Sequence, residues 1–164
     1  MLTLPKIVER SAQPYVAIRQ QVRMPFGEAV DRAFPEVFGW LEANGMRPAG
    51  APFIKYNVIQ MPRLELEFGV PVEAAAKSDG RVLAGTLPGG RYATLTYWGA
   101  YDNLMDVNAV LIGWAKEKGI RWDAVETPNG DRFAGRLEIY ETDPREEPDQ
   151  SKWKTEVAIR LADQ

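Results

Sequence analysis

The segment Arg136-Leu-Glu-Ile-Tyr-Glu-Thr-Asp-Pro144, followed after a polar loop by Trp153-Lys-Thr-Glu-Val-Ala-Ile-Arg-Leu161, decides how the rest of the chain is read. Side chains alternate across a strand, so Leu137 and Ile139 share one face while Glu138, Tyr140 and Thr142 share the other. In the second segment Thr155, Val157, Ile159 and Leu161 form an apolar row, with Glu156 and Ala158 opposite. Paired as a hairpin, the two segments are expected to bring Glu138, Tyr140 and Glu156 onto one surface, with Trp153 leaning over its rim. Carboxylates among aromatic rings make either a solvated sheet face or the floor of a site for something cationic or hydrolysable.

Working outward, the same pattern occurs twice. Alternation from Tyr15 onward, with Val16 and Ile18 against Tyr15, Ala17 and Arg19, predicts a strand interrupted near Pro14. Val30, Phe34, Val37, Phe38 and Leu41 recur at helical spacing up to Asn44-Gly45. Pro35 either begins a shorter helix there or kinks a longer one. Strands over 53–59 and 64–72 follow, joined at Met61-Pro62. After a small, polar stretch the order repeats: an extended segment over 82–98 broken at Pro88-Gly89-Gly90, a helix from about Asp102 to Gly119, and the opening pair of strands.

Identities support the repeat. Gly39-Trp40 and Gly45-Met46-Arg47 align with Gly113-Trp114 and Gly119-Ile120-Arg121 at an offset of 74; Tyr15 aligns with Tyr92 at 77, Tyr56 with Tyr140 at 84, and Glu67 with Glu156 at 89. Offsets that change only between elements place the insertions and the one deletion in loops. The prediction is an α+β fold over residues 1–164, a duplicated βαββ repeat (about 4–74 and 81–162). Each repeat forms an antiparallel sheet covered by one helix, and a pseudo-two-fold axis relates the two around a central ligand pocket. The faces opposite the helices, bearing Tyr15, Tyr56 and Glu67 from one repeat and Tyr92, Glu138, Tyr140 and Glu156 from the other, are expected to line that pocket together.

Composition excludes whole chemistries. With no histidine and no cysteine, the chain cannot build a Ser/His/Asp triad, a thiolate nucleophile or a Cys/His zinc site. No cofactor and no metal are implied. A net charge of −3 speaks against general nucleic-acid binding. The longest strictly apolar run, Ala109 to Ala115, is too short to span a bilayer, and no signal peptide opens the chain, so a cytoplasmic protein without membrane partners is expected.

At this point the chain resembles the GyrI-like small-molecule-binding domains, the fold of the effector-binding half of AraC-type and MerR-type multidrug-sensing regulators. The resemblance rests on Pro5-Lys-Ile-Val-Glu-Arg, Gly69-Val-Pro-Val, Leu87-Pro-Gly-Gly-Arg-Tyr-Ala-Thr, Gly99-Ala-Tyr-Asp-Asn-Leu, Ile139-Tyr-Glu-Thr-Asp-Pro and Trp153-Lys-Thr-Glu-Val, in that order along the chain. It implies a pocket for lipophilic, often cationic, compounds, in which Glu138 meets the positive charge, Trp153 is an aromatic wall and Glu156 matches a glutamate of the last strand. Some stand-alone members resemble hydrolases that open the cyclopropane ring of genotoxic compounds; on that alternative Glu138 and Glu156 are the acid–base pair. A topoisomerase-inhibiting adaptor is the third class. The two repeats account for residues 1–164 and leave no helix–turn–helix segment, so no nucleic-acid partner is expected. No oligomeric state is implied.

Overall fold

Each repeat opens with one strand more than the sequence pattern suggests. In the computed structural model, which describes residues 1–164, the elements are β1 (Lys6–Arg10), β2 (Gln13–Arg23), α1 (Gly27–Ala43), β3 (Phe53–Gln60), β4 (Arg63–Pro71), β5 (Val82–Leu87), β6 (Gly90–Trp98), α2 (Leu104–Glu117), β7 (Ala124–Thr127), β8 (Gly130–Phe133), β9 (Arg136–Tyr140) and β10 (Lys154–Arg160). The break near Pro14 falls at Ser11-Ala12 and separates β1 from β2.

These two strands part company. The sheet order is β1-β6-β10-β9-β3-β4-β2-β5, antiparallel throughout, with the β7–β8 hairpin attached to β3. Read from either end the order is the same under exchange of the repeats, so the pseudo-two-fold axis passes between β9 and β3. Each repeat lends its first strand to the edge of the other half: β1 pairs with β6, and β5 with β2. The hairpin β7–β8 occupies the linker insertion of the second repeat, where short, exposed strands left no apolar alternation to read.

Both helices lie on one face of the sheet. Ala33, Val37 and Leu41 of α1 pack on Val16, Ile18, Leu66, Phe68 and Val70, and Val107, Leu111 and Ala115 lie along the buried side of α2, which packs on Leu95, Val157 and Ile159. The apolar stripe of α1 continues through Pro35, which lies inside the helix on its exposed side. Fully burying each of the Val, Leu, Ile and Phe side chains contributes about 1.5–3 kcal/mol. Asp102 does not cap α2; it sits within a single 3-10 turn, Tyr101–Asn103, that leads into the helix, and no side chain caps either element. No helix is long and apolar enough to cross a membrane.

The other face carries a third, smaller cluster, made of Tyr15, Ala17, Phe53, Leu87, Tyr92, Leu137 and Ala158, with no helix over it. Gly69 makes room there for the Phe53 ring, since a Cβ at that position would lie 2.5 Å from it. Gly69→Ala is therefore expected to cost about 1–3 kcal/mol by overpacking. Gly39→Ala, on the open side of α1 with nothing within 4 Å, is expected to stabilise by about 0.5–1 kcal/mol. Denaturant unfolding of the two variants checks both signs.

Candidate functional site

At the centre of the sheet β3 and β9 meet at three residue pairs, Phe53↔Ile139, Ile54↔Glu138 and Lys55↔Leu137. The offset of 84 that relates Tyr56 to Tyr140 also relates Ile54 to Glu138. The axis therefore runs through the Ile54↔Glu138 pair, and residues directly opposite in a ladder point to the same side. Ile54 belongs to the core beneath α1, so Glu138 points to the helix-bearing side.

There the carboxylate lies between the helices. Asn108 of α2 donates Nδ2 to Glu138 Oε2 at 3.0 Å, and the hydroxyls of Tyr56 and Tyr140 donate to Oε1 at 2.9 and 2.7 Å. Asn108 is itself held in place, donating to the Leu104 carbonyl at 2.8 Å and accepting from Arg136 Nη2 at 3.4 Å. Glu138 is 6% exposed, and no Lys or Arg nitrogen comes within 4.0 Å of it. It is a buried carboxylate satisfied by neutral donors alone.

Aromatic rings enclose it. Tyr101, from the turn before α2, stands 5.4 Å from the Tyr140 ring and 4.7 Å from that of Trp153, and Phe34 of α1 reaches Tyr140 from the other side at 6.5 Å. The Trp153 indole donates to the Glu147 carbonyl at 2.8 Å, which ties the loop before β10 to this wall. Burial, reinforced by the adjacent Glu138 charge, pushes the Tyr56 and Tyr140 phenols well above the ordinary range, so both remain protonated donors. Arg136, two residues before Glu138 on the same face, lies over the Phe133 ring at 4.8 Å; burial lowers its pKa, against the pull of Tyr56 and Glu138.

The expectation of one pocket opposite the helices is overturned. Tyr56, Glu138 and Tyr140 face the helices, and Trp153 joins them there through Tyr101. Tyr15, Glu67, Tyr92 and Glu156 lie on the helix-free side. In the β10–β9 ladder Glu156 stands opposite Ile139, while Glu138 stands opposite Val157. The two glutamates thus project from opposite faces and cannot act as acid and base on one bound molecule. The expectation failed at β3 and β9 because both of their faces are buried, so apolarity does not mark which one meets a helix. A bulge at Asn57 in β3 adds a further irregularity.

The glutamates of the helix-free side have their own cationic partners. Glu67 accepts from the Tyr15 hydroxyl at 2.5 Å and from Asn57, with Lys55 Nζ at 3.6 Å and Arg19 Nη2 at 3.5 Å. Burial alone raises its pKa, but Lys55, the two hydrogen bonds and Arg19 together outweigh this and hold it below the usual glutamate value. Lys55 has fewer partners, so burial prevails and its pKa falls in spite of Glu67. Glu156 pairs with Arg10 at 2.6 Å, and Tyr92 donates to the Pro88 carbonyl at 2.6 Å.

Four residues of the helix-side cluster around Glu138 escaped the sequence reading: Phe34, Tyr101, Asn108 and Arg136. For Asn108 a signal exists, a lone amide one position past Val107 and three before Leu111 on the stripe that α2 buries.

The family model described as the GyrI-like small molecule binding domain matches residues 4–162. No curated protein matches the chain by sequence. Among solved structures, the EcmrR C-terminal domain is similar with a TM-score of 0.80 at 18% identity, over 98% of each chain. In the EcmrR–DNA complex the TM-score is again 0.80, and the chain spans 58% of the EcmrR chain. A structure described as a hydrolase from Listeria innocua gives 0.64 at 13% identity, over 96% of this chain and 91% of that one. SAV2435, solved bound to tetraphenylphosphonium, gives 0.59 at 10%, over 98% and 94%. At these identities the likeness is one of fold.

The depressed pKa of Glu67 makes its charge stabilising above the ordinary glutamate pKa, a contribution lost as pH falls through the lower folded-state value. Glu67→Gln is expected to lower stability at neutral pH by about 3 kcal/mol, because it leaves Lys55 charged and buried. The gap between wild type and variant should close on acidification below about pH 4, as measured by urea unfolding across the pH range.

Proposed function

Because the chain belongs to the GyrI-like small molecule binding domain family, we propose that it binds lipophilic monocations in the cleft between α1 and α2, with Glu138 as the charge partner and Tyr56, Tyr101, Tyr140 and Trp153 as the enclosing rings. The observation that carries this reading is the contrast among three glutamates. Glu67 and the partly buried Glu156 are each paired with basic side chains, whereas Glu138, buried like Glu67, has only neutral donors.

A buried carboxylate without a counter-ion costs several kcal/mol. A cation that enters the cleft offsets that cost, and ring faces add about 0.5–2 kcal/mol each when desolvated. Because only one carboxylate is unpaired, and the Arg136 guanidinium stands on the same face, a second positive charge on the ligand is disfavoured. The tetraphenylphosphonium bound to SAV2435, a monocation with apolar rings, has the chemistry this cleft calls for.

Asn108 orients the carboxylate from α2, so the ligand's charge and the position of that helix are linked through one side chain. Small displacements of α2 on binding would then be the readable response of the domain.

Tetraphenylphosphonium is expected to bind with Kd on the order of micromolar, about −8 kcal/mol. Glu138→Gln should weaken it by about 1–3 kcal/mol while preserving the thermal midpoint, since the substitution removes an unpaired buried charge. Glu156→Gln, on the other face, should leave affinity unchanged. Calorimetric titration of the three proteins checks this, and equal affinity for wild type and Glu138→Gln would overturn the assignment.

A further inference from the structure

The helix-free side of the central seam is concave. The link between β1 and β2 and the link between β5 and β6 lie against each other: a Cβ on Gly89 would stand 3.0 Å from the Ala12 nitrogen and 3.3 Å from the Arg10 carbonyl. The sheet thus curls until its two edges nearly meet, over a cavity of about 390 Å³. Its walls include Phe53, Leu87, Tyr92, Leu137 and Ile139, and Arg10 stands among the lining residues. This volume lies within the range of small-molecule sites, roughly 300–1,000 Å³.

We propose that this cavity is a second ligand site, separate from the helix-side cleft, and that it takes neutral lipophilic molecules carrying one oxygen acceptor, such as a ketone, ester or amide. Charge is not called for here, because the Arg10 guanidinium is already neutralised by Glu156 at 2.6 Å. Donors are still on offer: that contact uses Nη2, and it is the only hydrogen bond the Arg10 side chain makes, so Nε and Nη1 have no partner within the protein. The guanidinium lies over the Tyr92 ring, 5.6 Å from its centroid, which holds it at the apolar wall. A ligand oxygen that accepts from Arg10 would therefore leave the body of the molecule against Phe53, Leu137 and Ile139.

The two sites then divide by charge across one sheet. Ile139 and Glu138 are chain neighbours that point to opposite faces, so the same strand presents an apolar wall to one ligand and a carboxylate to the other. An apolar hollow holds water poorly, and filling it with hydrocarbon releases water that has few hydrogen bonds to lose.

The test uses prodan, a neutral naphthyl ketone whose emission shifts to the blue in apolar surroundings, titrated into the intact protein. A saturable blue shift is expected, unchanged in Glu138→Gln. Ile139→Trp, which fills the cavity from β9, should weaken binding by about tenfold or more, as should Ala51→Phe, which fills it from the loop before β3. Ala51 lies outside every strand, so this variant keeps the test valid if Ile139→Trp fails to fold. Arg10→Met should weaken prodan more than it weakens the analogue that lacks only the carbonyl oxygen, 2-(dimethylamino)-6-propylnaphthalene. Absence of a saturable shift, retention of full affinity in a folded cavity-filling variant, or loss of binding in Glu138→Gln would overturn the proposal. None of these outcomes depends on whether tetraphenylphosphonium binds the helix-side cleft.

Discussion

The parity of the β3–β9 seam is the constraint on which the rest of the structure depends. Successive residues of a strand face opposite sides, so with Ile54 and Glu138 toward the helices, Phe53, Lys55, Leu137 and Ile139 must face away. The character of both faces follows from this single choice. On one side a carboxylate is placed between two helices; on the other four residues, three of them apolar, line a surface that no helix covers. A slip of one residue in this ladder would exchange the two faces and put Leu137 and Ile139 between the helices.

The seam also explains what could be read in the sequence and what could not. Repeats, helices and the long strands were legible because β2, β4, β6 and β10 each show a helix-facing row of branched or aromatic side chains, and Glu67 and Glu156 fall on the far side as alternation requires. At β3 and β9 the pattern is ambiguous, since Leu137 is buried in one core while Tyr140 packs against two others. No rule of alternation assigns a strand that is buried on both faces. The ladder partner decides instead, and partners across 84 residues of chain are set by the tertiary fold. The exchange of β1 and β5 between halves was hidden for a related reason: an edge strand pairs on one side only, and nothing in Lys6–Arg10 says which half supplies the partner.

Repeat-related positions carry different chemistry where it matters. Glu67 and Glu156 are equivalent, but Lys55 beside the first corresponds to Ile139 beside the second. Glu67 is therefore neutralised from within its own half, whereas Glu156 depends on Arg10 from the lent strand β1. The same replacement of lysine by isoleucine gives the helix-free cavity its apolar wall. One substitution between repeats thus relocates an ion pair and opens a hydrophobic surface.

The axis itself imposes the strongest asymmetry. Facing side chains in an antiparallel ladder have Cβ atoms about 4.5–5.5 Å apart, and two carboxylates at that distance in a buried site do not both ionise. A symmetric repeat with glutamate at both 54 and 138 would hold one shared proton and a single diffuse charge. With Ile54 as its partner, Glu138 stands alone on the axis, within reach of Tyr56 from one repeat and of Tyr140 and Asn108 from the other. A position on the axis is the one place where a single side chain can be met equally by both halves of a duplicated fold. That is why one carboxylate suffices to give a two-fold scaffold one buried anionic centre, and why the residues that hold it are divided between the repeats.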